Sequence, residues 1–254
     1  MLLLHGWYQN GNQAYAELFE HIEHKFRLIV PDLPGHGLSR YSGDFNYSVE
    51  SVVHEIELLL ECRLTAQNRK NFFITGHSYG GFLAMKLVLE KHIHPKHLVI
   101  LAAVNDYKTY EKRLDIFLKI PRFFMPAYHF FQVLFKLFPY GDAVYFYPRR
   151  NRRTLPSRFE YAALKDFVHK PTVARKIIRS FIDVRIDPSI KDHPVSATLV
   201  YGTRDQVTPA AWGKAIQKHF LHVKLHLLEK AGHNVQLGKP FECAQIILHA
   251  ARTK

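Results

Sequence analysis

The chain has 254 residues, a formal net charge of +13 and 47% hydrophobic residues. This length suits one large domain or a domain with an insertion, and the apolar content excludes a globally disordered chain. No apolar run reaches the roughly 18 residues that a membrane-spanning helix needs, and residues 1–4 are too short for a signal peptide. Cys62 and Cys243 lie far apart and without metal-ligand spacing. We therefore expect a reduced, cytoplasmic protein rather than a disulfide framework.

The first predicted strand, residues 1–4, leads into the turn His5-Gly6-Trp7. Because Gly6 has no side chain, a reacting group could approach the backbone there, with the N–H of Trp7 exposed to it. Taken alone, these residues fit an ordinary strand end with an aromatic plug. Beside the serine motif described below, a backbone donor becomes the better interpretation.

The segment between this turn and the serine motif alternates helix and strand. Helical spacing predicts a helix at 12–24 and a second helix that Ser48 caps and that ends before Asn68, and the apolar run at 28–30 predicts a strand. The loop at 31–39 holds Asp32 and His36 among two prolines and two glycines. Polar groups in such a loop are more often structural than catalytic, and we favour that interpretation.

Residues 72–82 carry the central motif, in which an apolar run precedes Gly76-His77-Ser78-Tyr79-Gly80 and helical spacing begins at Phe82. This strand-to-helix context is that of a nucleophile elbow, which holds a serine hydroxyl at the carboxyl edge of a sheet. Glycines beside the serine leave room for the sharp turn, and the helix N-terminus favours developing negative charge. The alternative is an incidental serine in a glycine-rich turn.

The alternation stops after a buried strand predicted at 97–103. Residues 105–195 contain 18 Lys and Arg residues against 9 Asp and Glu, so most of the surplus charge lies here. Aromatic and basic residues interleave, and the prolines at 121, 126, 139, 148 and 156 divide residues 105–170 into short helical pieces. A clearer helical pattern follows near 171–183. We predict an all-helical insertion that covers the carboxyl edge of the sheet.

Strands are predicted again at 197–202 and 223–228, followed by loops that contain Asp205 and His233, and a last helix at 240–251. Ser78, Asp205 and His233 thus each follow a strand and can meet at one edge. Acyl transfer through a serine needs a base for the hydroxyl proton and a carboxylate that orients the base. Asp205 could instead be a turn or cap residue, and Asp106, after the strand at 97–103, is an alternative acid.

Five segments in order resemble the α/β-hydrolase superfamily, namely residues 5–7, 31–37, 76–81, 202–209 and 232–233. The resemblance implies an α/β-hydrolase core at 1–104 and 195–254, with a mostly parallel sheet and with 105–194 as a helical cap. It implies no cofactor and no metal.

The resemblance also assigns roles within the site. Ser78 would be the nucleophile, Asp205 the orienting acid and His233 the base. The backbone N–H groups of Trp7 and Tyr79 would form the oxyanion hole. Relatives with Asp at the nucleophile position hydrolyse epoxides or halides, and a serine there argues against both.

One departure from the superfamily concerns the sheet. Its members usually carry two further strands before the His-Gly strand, whereas Met1 falls inside what would be the third. We therefore expect either a truncated product, or a wrongly assigned start, or a sheet of about six strands in which the first two usual strands are missing.

The composition of residues 105–194 bears on substrates and partners. Its Phe, Tyr and Leu side chains suit apolar acyl chains or aromatic groups, so a small-molecule ester is the expected substrate. Its Lys and Arg side chains could hold the cap against an anionic membrane, or could simply be solvated. Nucleic acid is a poor match, although basic residues interleaved with aromatic ones also bind RNA.

Three functions remain open from the sequence. The leading hypothesis is a serine hydrolase of carboxylic esters that works through an acyl-enzyme. Hydrolysis of carbon–carbon or amide bonds is an alternative, because the same three side chains serve both reactions. A non-catalytic binding protein that keeps the fold is the third.

Overall fold

The computed structural model describes residues 1–7, 9–39, 41, 44–105, 171–180 and 185–252. Within them, one parallel sheet contains five strands: β1 (Leu2–Leu4), β2 (Phe73–His77), β3 (His97–Leu101), β4 (Ala197–Gly202) and β5 (Val223–Leu228). The strands lie side by side in chain order, and the register pairs Thr75 with Leu3 on one side and with Val99 on the other. Because all the strands run in one direction, their carboxyl ends meet at one edge of the sheet, where α/β proteins bind ligands.

The described helices are α1 (Gly11–Ile22), α2 (Val49–Arg63), α3 (Ala66–Arg69), α4 (Tyr79–Leu89), α5 (Pro171–Ser180), α6 (Ala210–Gln217), α7 (Val235–Gly238) and α8 (Pro240–Ala250). The helices predicted from Ser48 and at 240–251 are confirmed as α2 and α8. Ser48 caps α2, since its side chain accepts a hydrogen bond from the N–H of Ser51 at 3.1 Å. The four-residue helices α3 and α7 were not predicted.

Helices cover both faces of the sheet. Along β1, Leu2 and Leu4 pack in one hydrophobic cluster with residues of α2 and α4, whereas Leu3 packs in a second cluster with residues of α1 and α8. Every residue of β1, β3 and β4 is buried. This burial explains why these strands are continuous apolar runs rather than alternating ones.

Over the part of the chain that the structure describes, the sheet has five strands, whereas the sequence predicts about six. Residues 28–30, predicted as a strand, form a single-residue bridge between Ile29 and Leu2. The bridge consists of Leu3 N–H donating to Ile29 O at 2.9 Å and Ile29 N–H donating to Met1 O at 2.8 Å. The pairing stays this short because β1 spans only three residues and Pro31 has no N–H to donate.

Most of the predicted helical insertion lies outside the described residues, including its aromatic stretches, the basic run at 149–153 and Asp106. The described part contains α5, which confirms a helix within the predicted range 171–183. Ile177 on α5 is buried, and Lys176 donates through Nζ to the carbonyl of Phe45 at 3.2 Å. This helix therefore packs on the loop that precedes α2. None of the helices in the described ranges combines the length and the apolar character that a bilayer crossing requires.

The first turn of α4 rests directly on the end of β1, and this contact generates a prediction. A Cβ atom at Gly80 would overlap the carbonyl oxygens of Leu4 and His5, which are backbone atoms and cannot swing aside. We expect Gly80→Ala to lower the free energy of unfolding by about 1–3 kcal/mol, measured as a lower urea midpoint.

The matched control for this variant is Gly238→Ala, because a Cβ at Gly238 has nothing within 4 Å. This control should keep the wild-type midpoint or raise it slightly. Equal midpoints for the two alanine variants would show that the close contact at Gly80 does not limit stability.

Candidate active site

Ser78 lies in the turn between β2 and α4 with φ 51° and ψ −115°, a conformation that side chains rarely adopt. The N–H of Ser78 donates to the carbonyl of Leu101 at 2.9 Å, which ties the turn to the end of β3. The turn is tight enough that a Cβ at Gly76 would overlap the carbonyl oxygen of Gly80. Helix α4 begins at Tyr79, three residues before the predicted start, so Ser78 stands immediately at a helix N-terminus.

The structure brings Ser78, His233 and Asp205 together. His233 Nε2 lies 3.0 Å from Ser78 Oγ, and His233 Nδ1 lies 2.9 Å from Asp205 Oδ2. A carboxylate can only accept, so the ring carries its proton on Nδ1 and the serine hydroxyl donates to Nε2. This is the arrangement in which an imidazole can take the hydroxyl proton.

Asp205 is held as a carboxylate. Its Oδ1 accepts hydrogen bonds from the N–H groups of Val207 at 2.7 Å and Thr208 at 2.9 Å. Burial raises the pKa of Asp205, but the charge of His233 and the hydrogen bonds from His233 and Thr208 outweigh burial, so the pKa lies below its usual value. The alternative acid, Asp106, lies outside the described residues.

Thr208 is part of this site and was missed by the sequence analysis, which includes it only within the segment 202–209. The residue is fully buried, with Oγ1 at 2.6 Å from Asp205 Oδ2 and 3.1 Å from His233 Nδ1. The same hydroxyl lies 2.9 Å from the carbonyl of Ala102, at the end of β3. The hydroxyl has one proton, which it donates either to Asp205 or to Ala102, and its oxygen can accept from His233 Nδ1.

The turn after β1 is fixed by His5. The Nε2 atom of His5 accepts from the N–H of Leu33 at 2.8 Å, so the proton lies on Nδ1, which donates to the carbonyl of Gly6 at 2.7 Å. Burial lowers the pKa of His5 to about 4, which keeps the ring neutral at pH 7. The carbonyl of Gly6 and the N–H of Trp7 belong to one planar peptide group, so His5 sets the orientation of that N–H.

Asp32 and His36 lie in the loop between α1 and α2 and hold its backbone. The two carboxylate oxygens of Asp32 each accept a hydrogen bond at 2.8 Å, from the N–H of Gly11 and from the N–H of Leu38. His36 is buried with Nδ1 at 3.0 Å from the carbonyl of Pro34. These contacts are of the structural kind that we favour for this loop.

The acidic and imidazole side chains of the described residues do not form a metal site. Within that part of the chain, no group of three or more His, Cys, Asp or Glu side chains is arranged to hold a metal ion. The polar groups gathered around Ser78 are instead bound to one another.

A family model described as alpha/beta hydrolase fold matches residues 1–240. The chain belongs to this family. Membership agrees with the parallel sheet of the structure.

Three proteins of different kinds are similar to this alpha/beta hydrolase. The pimeloyl-[acyl-carrier protein] methyl ester esterase of Aeromonas hydrophila is 24% identical over 98% of this chain and 94% of its own length. The magnesium-chelatase 30 kDa subunit of Rhodobacter capsulatus is 30% identical over 108 residues, 42% of this chain and 36% of that relative. The solved meta-cleavage product hydrolase of Pseudomonas fluorescens IP01 has a TM-score of 0.72 and 18% identity, and the match covers 98% of this chain and 89% of that one.

The contact between Thr208 and Asp205 can be tested with two variants, one that removes the hydroxyl and one that keeps it. Thr208→Val removes the hydroxyl donor to Asp205 Oδ2, so the pKa of Asp205 should rise towards its ordinary value of 3.8. The carboxylate would then be protonated at a higher pH. The stability that its lowered pKa contributes, which is lost as the pH falls from about 3.8 towards the folded pKa, would become smaller. Thr208→Ser keeps the hydroxyl and should restore the wild-type titration.

The measurement is an NMR titration of the labelled Asp205 carboxyl carbon in the wild type and both variants. An equal pKa of Asp205 in Thr208→Val and in Thr208→Ser would show that the backbone N–H groups alone hold Asp205 ionised.

Proposed function

We propose that this alpha/beta hydrolase cleaves carboxylic esters of apolar acyl or aromatic substrates through an acyl-enzyme on Ser78. The observation that carries the proposal is the unbroken pair of contacts from Ser78 Oγ to His233 Nε2 at 3.0 Å and from His233 Nδ1 to Asp205 Oδ2 at 2.9 Å. The esterase among its relatives, matched over nearly its full length, supports the same class of reaction.

In the first half of the proposed reaction, Ser78 Oγ attacks the ester carbonyl carbon while its proton passes to His233 Nε2. Asp205 orients the imidazole and stabilises the cation that forms. The tetrahedral intermediate then collapses, and His233 gives its proton to the leaving alcohol. In the second half, water attacks the acyl group on Ser78 with His233 again as base, and the carboxylic acid leaves as the serine hydroxyl is restored.

The proposed donors to the oxyanion are the N–H groups of Tyr79 and Trp7. Tyr79 is the first residue of α4, where the positive end of the helix dipole favours negative charge. The Trp7 N–H lies in the peptide group that His5 fixes through the carbonyl of Gly6. Donors that are fixed before the reaction need no reorganisation when the charge develops.

We further propose that the core, residues 1–104 and 195–254, is capped by residues 105–194. Helix α5, within that segment, already packs on the core, since Ile177 and Val173 belong to the same hydrophobic cluster as Tyr79. The aromatic and apolar composition of the segment supports a preference for apolar acyl or aromatic substrates.

Two alternatives have specific support. The same relay could cleave a carbon–carbon or amide bond, and the similarity to the solved meta-cleavage product hydrolase favours the carbon–carbon case. A binding role without catalysis is suggested by the partial relative, which is named as a subunit of a chelatase.

The deciding experiment is the reaction of Ser78 with a fluorophosphonate probe. The wild type should be labelled and should hydrolyse nitrophenyl esters. Ser78→Ala should lose both properties, because alanine has no oxygen to place beside His233 Nε2. Equal labelling of wild type and Ser78→Ala would exclude a nucleophilic Ser78 and favour a binding role. A panel of esters, amides and vinylogous diketones would then separate the reaction classes.

The identity of the acid is tested by two matched substitutions. Asp205→Asn should lower kcat by a factor on the order of 10⁴, because the amide cannot orient the imidazole in the required tautomer. Asp106→Asn is the control and should keep kcat within a few-fold of the wild type. A larger loss in Asp106→Asn than in Asp205→Asn would transfer the role of acid to Asp106.

A further inference from the structure

A buried glutamine joins two turns that border the candidate active site. Gln9 is 7% exposed, and its Oε1 accepts a hydrogen bond from the N–H of Gly6 at 3.1 Å. Its Nε2 donates to Asn234 Oδ1 at 3.0 Å, across 225 positions of sequence. Because the N–H of Gly6 needs an acceptor, only one orientation of the amide satisfies both contacts. Gln9 therefore links the turn that carries Trp7 to the turn that carries His233.

His77 completes this link from the side of the serine turn. Its Nδ1 lies 3.2 Å from Gln9 Oε1, and its Nε2 lies 3.1 Å from the carbonyl of His233. Burial, and then the charge of His233, lower the pKa of His77 to about 3, so the ring is neutral and carries one N–H. That proton is given to one of the two oxygens at a time, and the ring fills the space between Gln9 and the His233 backbone.

We propose that Gln9 is a positioning residue, which holds the turn of Trp7 and the turn of His233 in fixed register around Ser78. The inference rests on the proposed function, since it concerns the groups assigned to that reaction. Secondary structure fixes Ser78 through β2, β3 and α4, whereas Trp7 and His233 lie in turns beyond strand ends. A buried amide that loses its partners is left desolvated without compensating hydrogen bonds, so the linked arrangement is favoured over a separated one.

The test compares Gln9→Leu with the wild type. The leucine fills a similar volume but cannot accept from Gly6 or donate to Asn234, so both turns should shift relative to Ser78. We expect kcat for a nitrophenyl ester, and the rate of fluorophosphonate labelling, to fall by roughly 10- to 100-fold, with KM nearly unchanged. A variant that keeps the wild-type kcat would overturn the proposal.

A double-mutant cycle separates the link from the individual residues. Asn234→Leu removes the other end of the Gln9 hydrogen bond and should also lower kcat. If the two side chains act through one contact, the double variant should be no slower than the slower single variant. If the fold-losses of kcat in the two single variants multiply in the double variant, each residue acts alone.

The matched control is Gln236→Leu. Gln236 is a fully buried glutamine in α7, and its side-chain amide has no hydrogen-bond partner among the described residues. The variant makes the same chemical change but breaks no link between turns, so kcat should stay at the wild-type value. A loss of kcat equal to that of Gln9→Leu would show that the effect comes from general destabilisation of the core and not from the link between the turns.

A readout without catalysis distinguishes failure of this proposal from failure of the proposed function. In Gln9→Leu, hydrogen exchange at the Gly6 amide should accelerate, and the ¹⁵N signals of the His233 ring should move, even in an enzyme that cleaves no ester. If the wild type is inactive but these changes occur, the link stands and the proposed reaction fails. If both signals stay unchanged, Gln9 does not position either turn.

Discussion

The contact of Gly80 with the end of β1 is the constraint on which the site depends. With no side chain at this position, the first turn of α4 lies against the carbonyl oxygens of Leu4 and His5. The strained turn at Ser78 and the turn that carries Trp7 are consequently neighbours, although they lie far apart in the chain. Any larger residue at position 80 would push α4 away from β1. The glycines on either side of Ser78 are therefore required for packing, whatever the chemistry of the serine.

Beyond this contact, the polar groups at the carboxyl edge of the sheet hold one another in place. Thr208 bridges Asp205 to the end of β3, and Asp205 in turn holds the ring of His233. Gln9 and His77 also contact the turn that carries His233. A buried polar atom that lacks a partner raises the free energy of the folded state. Each of these contacts therefore restricts the conformations open to the next side chain, so the loops are held as firmly as secondary structure.

Patterns that are local in sequence predicted most of the fold. The apolar runs of β2, β3 and β4 and the glycines around Ser78 are such patterns, and the order of motifs pointed to the family that the comparison then showed. The strand at 28–30 was predicted but formed one bridge, because pairing depends on the length of its neighbour β1. Thr208 and Gln9 were not predicted for a related reason. Besides Asp205, Thr208 contacts His233 from 25 positions away, and Gln9 contacts a residue 225 positions away, and no spacing rule records such distances.

The histidines around the site differ in how deeply they are buried, and this difference separates them into two kinds. Burial lowers the pKa of His5 to about 4 and that of His77 to about 3, so near pH 7 both rings stay neutral and act as fixed donors and acceptors. His233 differs, because its side chain is 14% exposed and its Nδ1 faces the ionised Asp205 at 2.9 Å. A positive charge on the ring of His233 would be compensated by that carboxylate, whereas a charge on either buried ring would not. For this reason the proposed reaction gives the serine proton to His233 and not to either of the two buried rings.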